Sequence, residues 1–526
     1  MSQNSVDKHF DVAIVGGGHN GLASACYLAA DGKKIIVLER TEKVGGMAAS
    51  DYLIPEAPNH LVHSCALELA SWQGSPVGTD LKLAEHGLEV IPSDPAYAYL
   101  HDDGSSICFF RDIPRTCGEM AKYSKKDAAA YGQFVGDLFK MAATIGPMMK
   151  ADPARPGLRT IWETLKAARK FKSDRDEILN LLTNHALSIV EERFEHPAVQ
   201  AAVLGFAGGA GPVTRDSSGL GFMLLVLLHS TGMARVRGGM AKVPEAMASR
   251  LKSLGGEIRT SADVEEIVSD DGTVRGVILK GGEFIGAKAV IGACHPKVVL
   301  NLVTEGQVER KYLRRVDNTP CAQHGSSPFK IDVALKGKAV FEHHQRERKD
   351  DVNLGLPTTM MGSVETIVEN FDAAARGELP KDPYCWWTVP SVADPSQAPD
   401  GQDVLYIYPA AFPVRPRDGW DAVRGPAVDL VMDWTRNVIP NIDVLEIGRR
   451  VETSDQLEER LNVPGGSYVH IDVSILRSAM MRPAAGLSGE LPIKGLFFGN
   501  AGAPPGGGVS GQPGRIAAAR VKRFLK

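Results

Sequence analysis

The 526-residue sequence predicts an α/β protein in which a unit built on a parallel sheet is interleaved with an α+β unit carrying a mixed or antiparallel sheet and a helical subdomain. Three observations predict it. A strand–turn–helix–strand pattern with three regularly spaced glycines opens the chain. A buried strand, a glycine-rich loop and a helix close it, repeating the opening theme. No internal repeat or low-complexity linker separates the two ends. The expected partition is therefore discontinuous: residues 8–90, 232–300 and 478–526 in the first unit, 91–231 and 301–477 in the second. A chain of this length also exceeds what one simple core accommodates.

The elements follow in order. Residues 10–15 form a short apolar β-rich run, 20–30 are small and apolar at helical spacing, and 34–39 form a second buried strand. Residues 113–228 are mainly helical in pattern, with breaks expected at Pro147, Pro153, Pro156 and Pro212. A helix over 243–254 ends at Gly255-Gly256. Short strands follow near Ile258, at 274–279 and at 289–293, with turns at Asp271-Gly272 and Gly281-Gly282. Residues 328–337 and 403–409 predict strands of another sheet. The last strand is expected at 495–498, a Gly/Pro-rich loop at 499–514 and the last helix at 516–525.

Composition narrows the function. Lys and Arg total 59 against 63 Asp and Glu, a net charge of −4, which offers no clustered basic surface and so no nucleic-acid partner. The seven cysteines (26, 65, 108, 117, 294, 321 and 385) include no CxxC. That pattern predicts reduced thiols in a cytoplasmic protein, without a metal site or a redox disulfide. The N-terminal segment MSQNSVDKHF lacks a signal peptide's apolar core. The longest apolar run, 219–228, is far shorter than the roughly 20 residues of a membrane span and is expected to fill a core. Arg520, Lys522, Arg523 and Lys526 alternate with apolar residues and could rest on an anionic membrane surface. A solvated helix end is the preferred reading, and an oligomer stays open.

The chemistry is carried by Gly16, Gly18 and Gly21, a G-x-G-x-x-G placed directly between the first strand and its helix. The first glycine permits the tight turn, the second lets a pyrophosphate reach the backbone, and the third lets helix and strand pack closely. Phosphates then sit at a helix N-terminus, where free N–H groups and the dipole favour negative charge. Glu39, ending the second strand, is placed to accept hydrogen bonds from a ribose 2′-hydroxyl. The motif alone does not separate FAD from NAD. The Gly45-Gly46 pair of Val44–Ala48 lets the chain pass close to a long cofactor, or is a plain turn.

With these motifs the sequence resembles the phytoene desaturase and carotenoid isomerase branch of the FAD-dependent amine-oxidase-like superfamily, and within it a type named for a pyridine nucleotide-disulfide oxidoreductase domain. The stretches that carry the resemblance are DVAIVGGGHNGLASACYLA, RVRGGMAKVPEAMASRL, SADVEEI, PSVADPSQAPDG, LNVPGGSYVH and GLFFGNAGAPPGGGVSGQPGRIAAA. The resemblance implies a Rossmann-like FAD-binding domain. Gly16, Gly18 and Gly21 with Glu39 would hold the ADP half, and Arg40, Gly45, Gly46, Met47 and Ala48 would be further cofactor-binding residues. Val264 would meet the adenine through its backbone. Gly502, Gly508 and Val509 would serve the pyrophosphate, ribityl and ring end, Asn500 would be a further cofactor-binding residue, and Gly238, Gly239 and Met240 would lie near the flavin on the substrate side. The pattern departs at Met47, where carotenoid desaturases carry arginine, and at Asn500 and Pro504. These departures weigh against a carotenoid substrate, and the missing CxxC weighs against disulfide chemistry.

No cysteine in the closing loop is placed for a flavin link, so non-covalent FAD is expected. The 208–211 glycine run lacks the final glycine of a second dinucleotide motif, so electrons are expected to leave to oxygen or a quinone. The leading function is an FAD-dependent dehydrogenase, desaturase or oxidase taking hydride from a hydrophobic or aromatic small molecule to flavin N5. The alternatives are a non-redox flavin isomerase or cyclase, or a flavin-stabilised partner protein. Acid/base candidates are His60, His63 and His470, weighed against ordinary structural roles. For His229, Arg235 and the Trp386-Trp387 pair, structural roles are the default.

Overall fold

The computed structural model describes residues 9–211, 213, 219–322, 329–489 and 491–526 and is built on two seven-stranded sheets. In the first, His9–Val15 lies between Phe284–Gly292 and Ile35–Leu38, and Glu257–Arg259 and Leu496–Phe498 extend the same parallel arrangement. Val264–Asp270 and Thr273–Leu279 add an antiparallel flap to the Phe284–Gly292 strand. The parallel strands are apolar on both faces because both faces are covered: Ile35–Leu38 is buried at every residue. On one face the small residues of helix His19–Ala29 pack against helices Gln512–Phe524 and Lys242–Ser253.

The second sheet runs Glu446–Glu452, Lys330–Leu335, Asp403–Pro409, Cys385–Thr388, Thr358–Met361, Tyr97–Leu100, Ser106–Phe109. Its neighbours are antiparallel except Thr358–Met361 with Tyr97–Leu100. Alternation along each strand separates its faces. Tyr97 and Tyr99 enter a core shared with helices Lys125–Lys150, Pro197–Ala210 and Met223–Thr231, whereas Ala98 and Leu100 face the core under helix Trp420–Val438.

Several expectations need correcting. Pro147 does not break a helix but lies inside Lys125–Lys150, in its last turn; it forfeits one bond, to the carbonyl four residues back, and the helix ends three residues later. Pro153 and Pro156 fall between that helix and Leu158–Lys170; Pro212 lies outside the described residues, as does residue 328 of the predicted 328–337 strand. The last helix starts at Gln512, earlier than expected, because Pro513 suits a first helical turn. Its basic residues are engaged: Arg520 and Arg523 pair with Asp152 at 2.6 and 2.7 Å, and Lys522 with Asp31 at 2.6 Å. These pairs engage three of the four basic residues at the end of the chain. No helix among the described residues is long and apolar enough to cross one. Most of the 219–228 run is core, with Phe222, Leu225 and Leu228 fully buried.

Candidate active site

One cavity of about 430 Å³ runs from the glycine turn of the first sheet to the aromatic side chains of the second. At the first end Gly18 closes the turn and caps helix His19–Ala29, whose first N–H groups have no intrahelical partner. The Glu39 carboxylate folds back on this turn. Its Oε2 accepts from Gly17 N at 2.7 Å, and its Oε1 accepts from Thr41 N and Thr41 Oγ1 at 2.9 Å. Gly45 N donates to Gly17 O at 3.0 Å, which lays the second glycine pair along the first turn. Gly21 is required for packing: a Cβ there would lie 2.2 Å from Gly16 O.

These residues fit a flavin dinucleotide. A Cβ built on Gly18 meets nothing within 4 Å, so the backbone is open to the cavity at the point where a pyrophosphate must approach. Asn20 Oδ1 and His470 Nδ1 are buried, line the same cavity and have no hydrogen-bond partner within bonding geometry among the described residues. His470 also takes a left-handed backbone, φ 63°, as the chain turns into the wall, and burial holds its ring well below the usual imidazole range. The two thiols on the wall, Cys65 and Cys294, are pushed by burial up to about 11 and about 12, away from the reactive thiolate.

At the far end the wall consists of Tyr97, Trp386, Tyr406, Tyr408 and Tyr468, together with Gly209, Leu224, Thr358, Thr388 and Glu68. Tyr97 and Trp386 meet edge to face, 5.8 Å between centroids. The tyrosine hydroxyls turn to protein acceptors: Tyr406 donates to Cys65 O at 2.8 Å, Tyr468 to Gly209 O at 3.4 Å and Tyr97 to Glu68. Their rings are thereby left as an apolar surface.

The expected cofactor residues Gly16, Gly18, Glu39, Arg40, Gly45, Gly46, Met47, Ala48, Val264, Gly508 and Val509 share this one cavity, though they come from five segments. Others stand behind the wall. Asn500 donates to Gly292 O at 3.0 Å and accepts from Gly502 N at 2.9 Å, pinning the closing loop. Gly239 packs against Ser50 and Leu61, and Met240 is fully buried beside helix Lys242–Ser253. Of the three candidate histidines, His470 reaches the cavity, which His19, not a candidate, also lines. His60 is buried beside Leu335, Gln402 and Asp403, and His63 meets Gln397 Oε1 at 2.9 Å; neither is part of the wall. His229 is held between Tyr131 and Arg111 O. Trp387 is core, but Trp386 departs from the core default and walls the cavity. Glu68, Tyr97, Tyr406 and Tyr408 are not marked by any motif, whereas Tyr468 falls in the stretch LNVPGGSYVH. The one signal was a lone charge in the apolar run Cys65–Ala70.

A family model described as flavin containing amine oxidoreductase matches residues 21–408. The "Pyridine nucleotide-disulfide oxidoreductase domain-containing protein 2" of Rattus norvegicus is 27% identical, over 98% of this chain and 94% of its own. The neurosporene-forming phytoene desaturase of Cereibacter sphaeroides is 26% identical, over 97% and 93%. A limonene dehydrogenase chain of Castellaniella defragrans is 25% identical, over 98% and 95%. Among solved structures, putrescine oxidase bound to putrescine has a TM-score of 0.63 at 17% identity, covering 98% of this chain and 99% of the other. An oxidoreductase from Methanosarcina mazei gives 0.61 at 16%, covering 97% and 99%. These structures share the fold. The protein is an FAD-dependent oxidoreductase with a non-covalently held cofactor, and the chain belongs to the flavin containing amine oxidoreductase family.

Proposed function

We propose that the enzyme oxidises a hydrophobic or aromatic small molecule seated between Tyr97, Trp386, Tyr406, Tyr408 and Tyr468. The single observation that carries this reading is the continuity of the cavity: its glycine-lined end and its aromatic end are one space. FAD, when bound, supplies the hydride acceptor at N5. The chain supplies position and dryness. Gly16, Gly18 and Gly21 with the helix N-terminus would receive the pyrophosphate. Glu39 and Arg40 would hold the adenosine ribose, with Val264 beside the adenine. Gly45–Ala48, Gly508 and Val509 would flank the ribityl chain and ring. Asn500, Gly502, Gly239 and Met240 would support these loops from behind, and His470 would meet the cofactor at the junction of the two ends. The aromatic rings would exclude water from the reacting carbon and orient it.

The chain would divide as its two sheets suggest, residues 8–90, 232–300 and 478–526 holding the cofactor and the remainder shaping the substrate end. The names of the phytoene desaturase and limonene dehydrogenase relatives support an apolar substrate, and oxygen or a quinone would take the electrons. The test is anaerobic flavin reduction with a panel of apolar alcohols, amines, terpenes and aromatic metabolites. Bleaching by an apolar member, and recolouring by oxygen or a quinone, is the expected result. A flavin-loaded protein bleached by none but small polar compounds would overturn the reading.

A further inference from the structure

We propose that Glu68 is the general base of the reaction and that it selects an uncharged alcohol on an apolar or aromatic skeleton, with Arg235 as its positioning residue. The inference rests on the substrate end assigned above. Glu68 lies on the wall of that end, its side chain 13% exposed. Its Oε2 accepts from the Tyr97 hydroxyl and its Oε1 from the Thr358 hydroxyl. Thr358 in turn meets Thr388 at 2.9 Å. Two donors hold the carboxylate in place, yet each oxygen retains a further lone pair, and the wall brings it to the cavity. The neighbouring Tyr406 hydroxyl donates to Cys65 O and keeps only a weakly basic oxygen, so Glu68 is the carboxylate on this wall able to take the proton of a substrate O–H.

Arg235 decides the charge of that substrate. It stands behind Glu68, with Nη2 at 3.8 Å from Oε1 and a side chain 2% exposed. Its three guanidinium nitrogens have no hydrogen-bond partner among the described residues. A guanidinium stays charged, so it interacts with Glu68 through space as a buried counter-charge. The pair is neutral overall. An ammonium entering beside it would bring an uncompensated charge into an apolar, desolvated space, whereas a hydroxyl brings none. The ionisable groups facing Glu68 are Arg235 from strand Met233–Val236, Tyr97 from Tyr97–Leu100 and Tyr406 from Asp403–Pro409.

The step balances. The substrate C–H leaves with its bonding pair to FAD, the O–H proton passes to Glu68, and the electron pair of the broken O–H bond closes the C=O. The alcohol is oxidised by two electrons and FAD is reduced by two.

The experiment titrates FAD-loaded wild type, Glu68→Gln and Arg235→Met with benzyl alcohol and benzylammonium, following the perturbation of the flavin spectrum at equilibrium. Wild type is expected to bind the alcohol at least tenfold more tightly than the ammonium. Arg235→Met leaves Glu68 without its counter-charge, so the preference should narrow or invert by tenfold or more, an effect that loss of packing alone does not produce. Glu68→Gln keeps the shape and one acceptor oxygen for Tyr97 or Thr358, while its NH2 faces the other hydroxyl as a donor. It should retain FAD while slowing anaerobic bleaching by an alcohol about 10²–10⁴-fold and removing the acid limb of its pH profile. An unchanged alcohol preference in Arg235→Met, a wild-type pH profile in Glu68→Gln, or failure of both probes to perturb flavin-loaded wild type overturns the proposal. Should Arg235→Met fail to retain flavin, the Glu68→Gln titration and pH profile decide it. A wild type bleached only by small polar compounds overturns the functional reading instead.

Discussion

Gly18 and Gly21 belong to one motif, but substituting each with alanine should damage different things. Gly18 has φ −70° and ψ 168°, an extended backbone that alanine adopts freely, and its Cβ would meet no protein atom within 4 Å. Gly18→Ala should therefore leave the flavin-free protein as stable as wild type or about 0.4–1 kcal/mol more stable, since alanine restricts the unfolded chain. The new methyl occupies the space through which a pyrophosphate reaches the turn, so FAD affinity should fall at least tenfold, about 1.4 kcal/mol. Gly21→Ala puts its methyl 2.2 Å from Gly16 O, 2.9 Å from Ala293 Cβ and 3.3 Å from Ile14 Cγ2. Helix His19–Ala29 must lift off its strand, and overpacking of this kind costs about 1–3 kcal/mol before any cofactor is added. Urea denaturation of the flavin-free proteins and fluorescence titration with FAD separate the two effects. A Gly18→Ala protein that takes up FAD with wild-type affinity, or a flavin-free Gly21→Ala protein with a wild-type midpoint, would refute the assignment of these glycines.

Glu39→Ala removes the acceptor of Gly17 N and Thr41 N; the released turn should cost about 1–3 kcal/mol, measured as a 10- to 100-fold weaker FAD titration. Gly209→Ala would place a methyl 2.4 Å from Trp386 Cη2, driving the indole into the cavity. Its kcat/KM for a bulky aromatic substrate should fall at least tenfold, about 1.4 kcal/mol, at unchanged flavin content. Acid should destabilise the fold. Burial lowers His63 and His295 to about 4 in the folded protein, so on acidification the unfolded chain binds protons first. Stability is full above the ordinary histidine value of about 6.5 and falls from there to about 4, by roughly 1.4 kcal/mol per pH unit for each ring. Urea midpoints between pH 7 and 4.5 should show this, and His63→Asn should flatten the slope; a flat wild-type profile in that window contradicts it.

The parts of the fold that were legible in the sequence are those whose causes are local. Strand His9–Val15, its helix and Ile35–Leu38 fall within a residue or two of expectation, because apolar periodicity and the three glycines act over short separations. The start of the last helix was misplaced because Pro513 and Gly514 look like loop residues. Yet proline suits a first turn, and a Cβ on Gly514 would lie 2.1 Å from Asn20 O. That glycine marks two helices in contact, not a loop. Strands Tyr97–Leu100, Thr358–Met361 and Cys385–Thr388 escaped notice for another reason. Each is four residues long and buried throughout, so no alternation advertises it; Tyr97–Leu100 has a hairpin partner in Ser106–Phe109, but its other neighbour, Thr358–Met361, lies far away in sequence.

The same division runs through the site. The nucleotide end was legible because a pyrophosphate is read by backbone, and backbone access is written in glycines at fixed spacing. The aromatic end has no such grammar. Tyr97, Tyr406, Tyr408 and Tyr468 come from three separate regions, and each is an ordinary core residue until the second sheet closes. Tyr406 and Tyr408 stand two apart on one strand and so share a face, a relation visible only once the strand is known. Glu68 differs in kind. A single carboxylate between Ala66-Leu67 and Leu69-Ala70 costs stability unless something answers it. In this fold Tyr97, Thr358 and Arg235 answer it from three distant strands. Three partners from distant strands satisfy one acid in an apolar run, and the same acid lines the cavity in which the proposed proton transfer would occur.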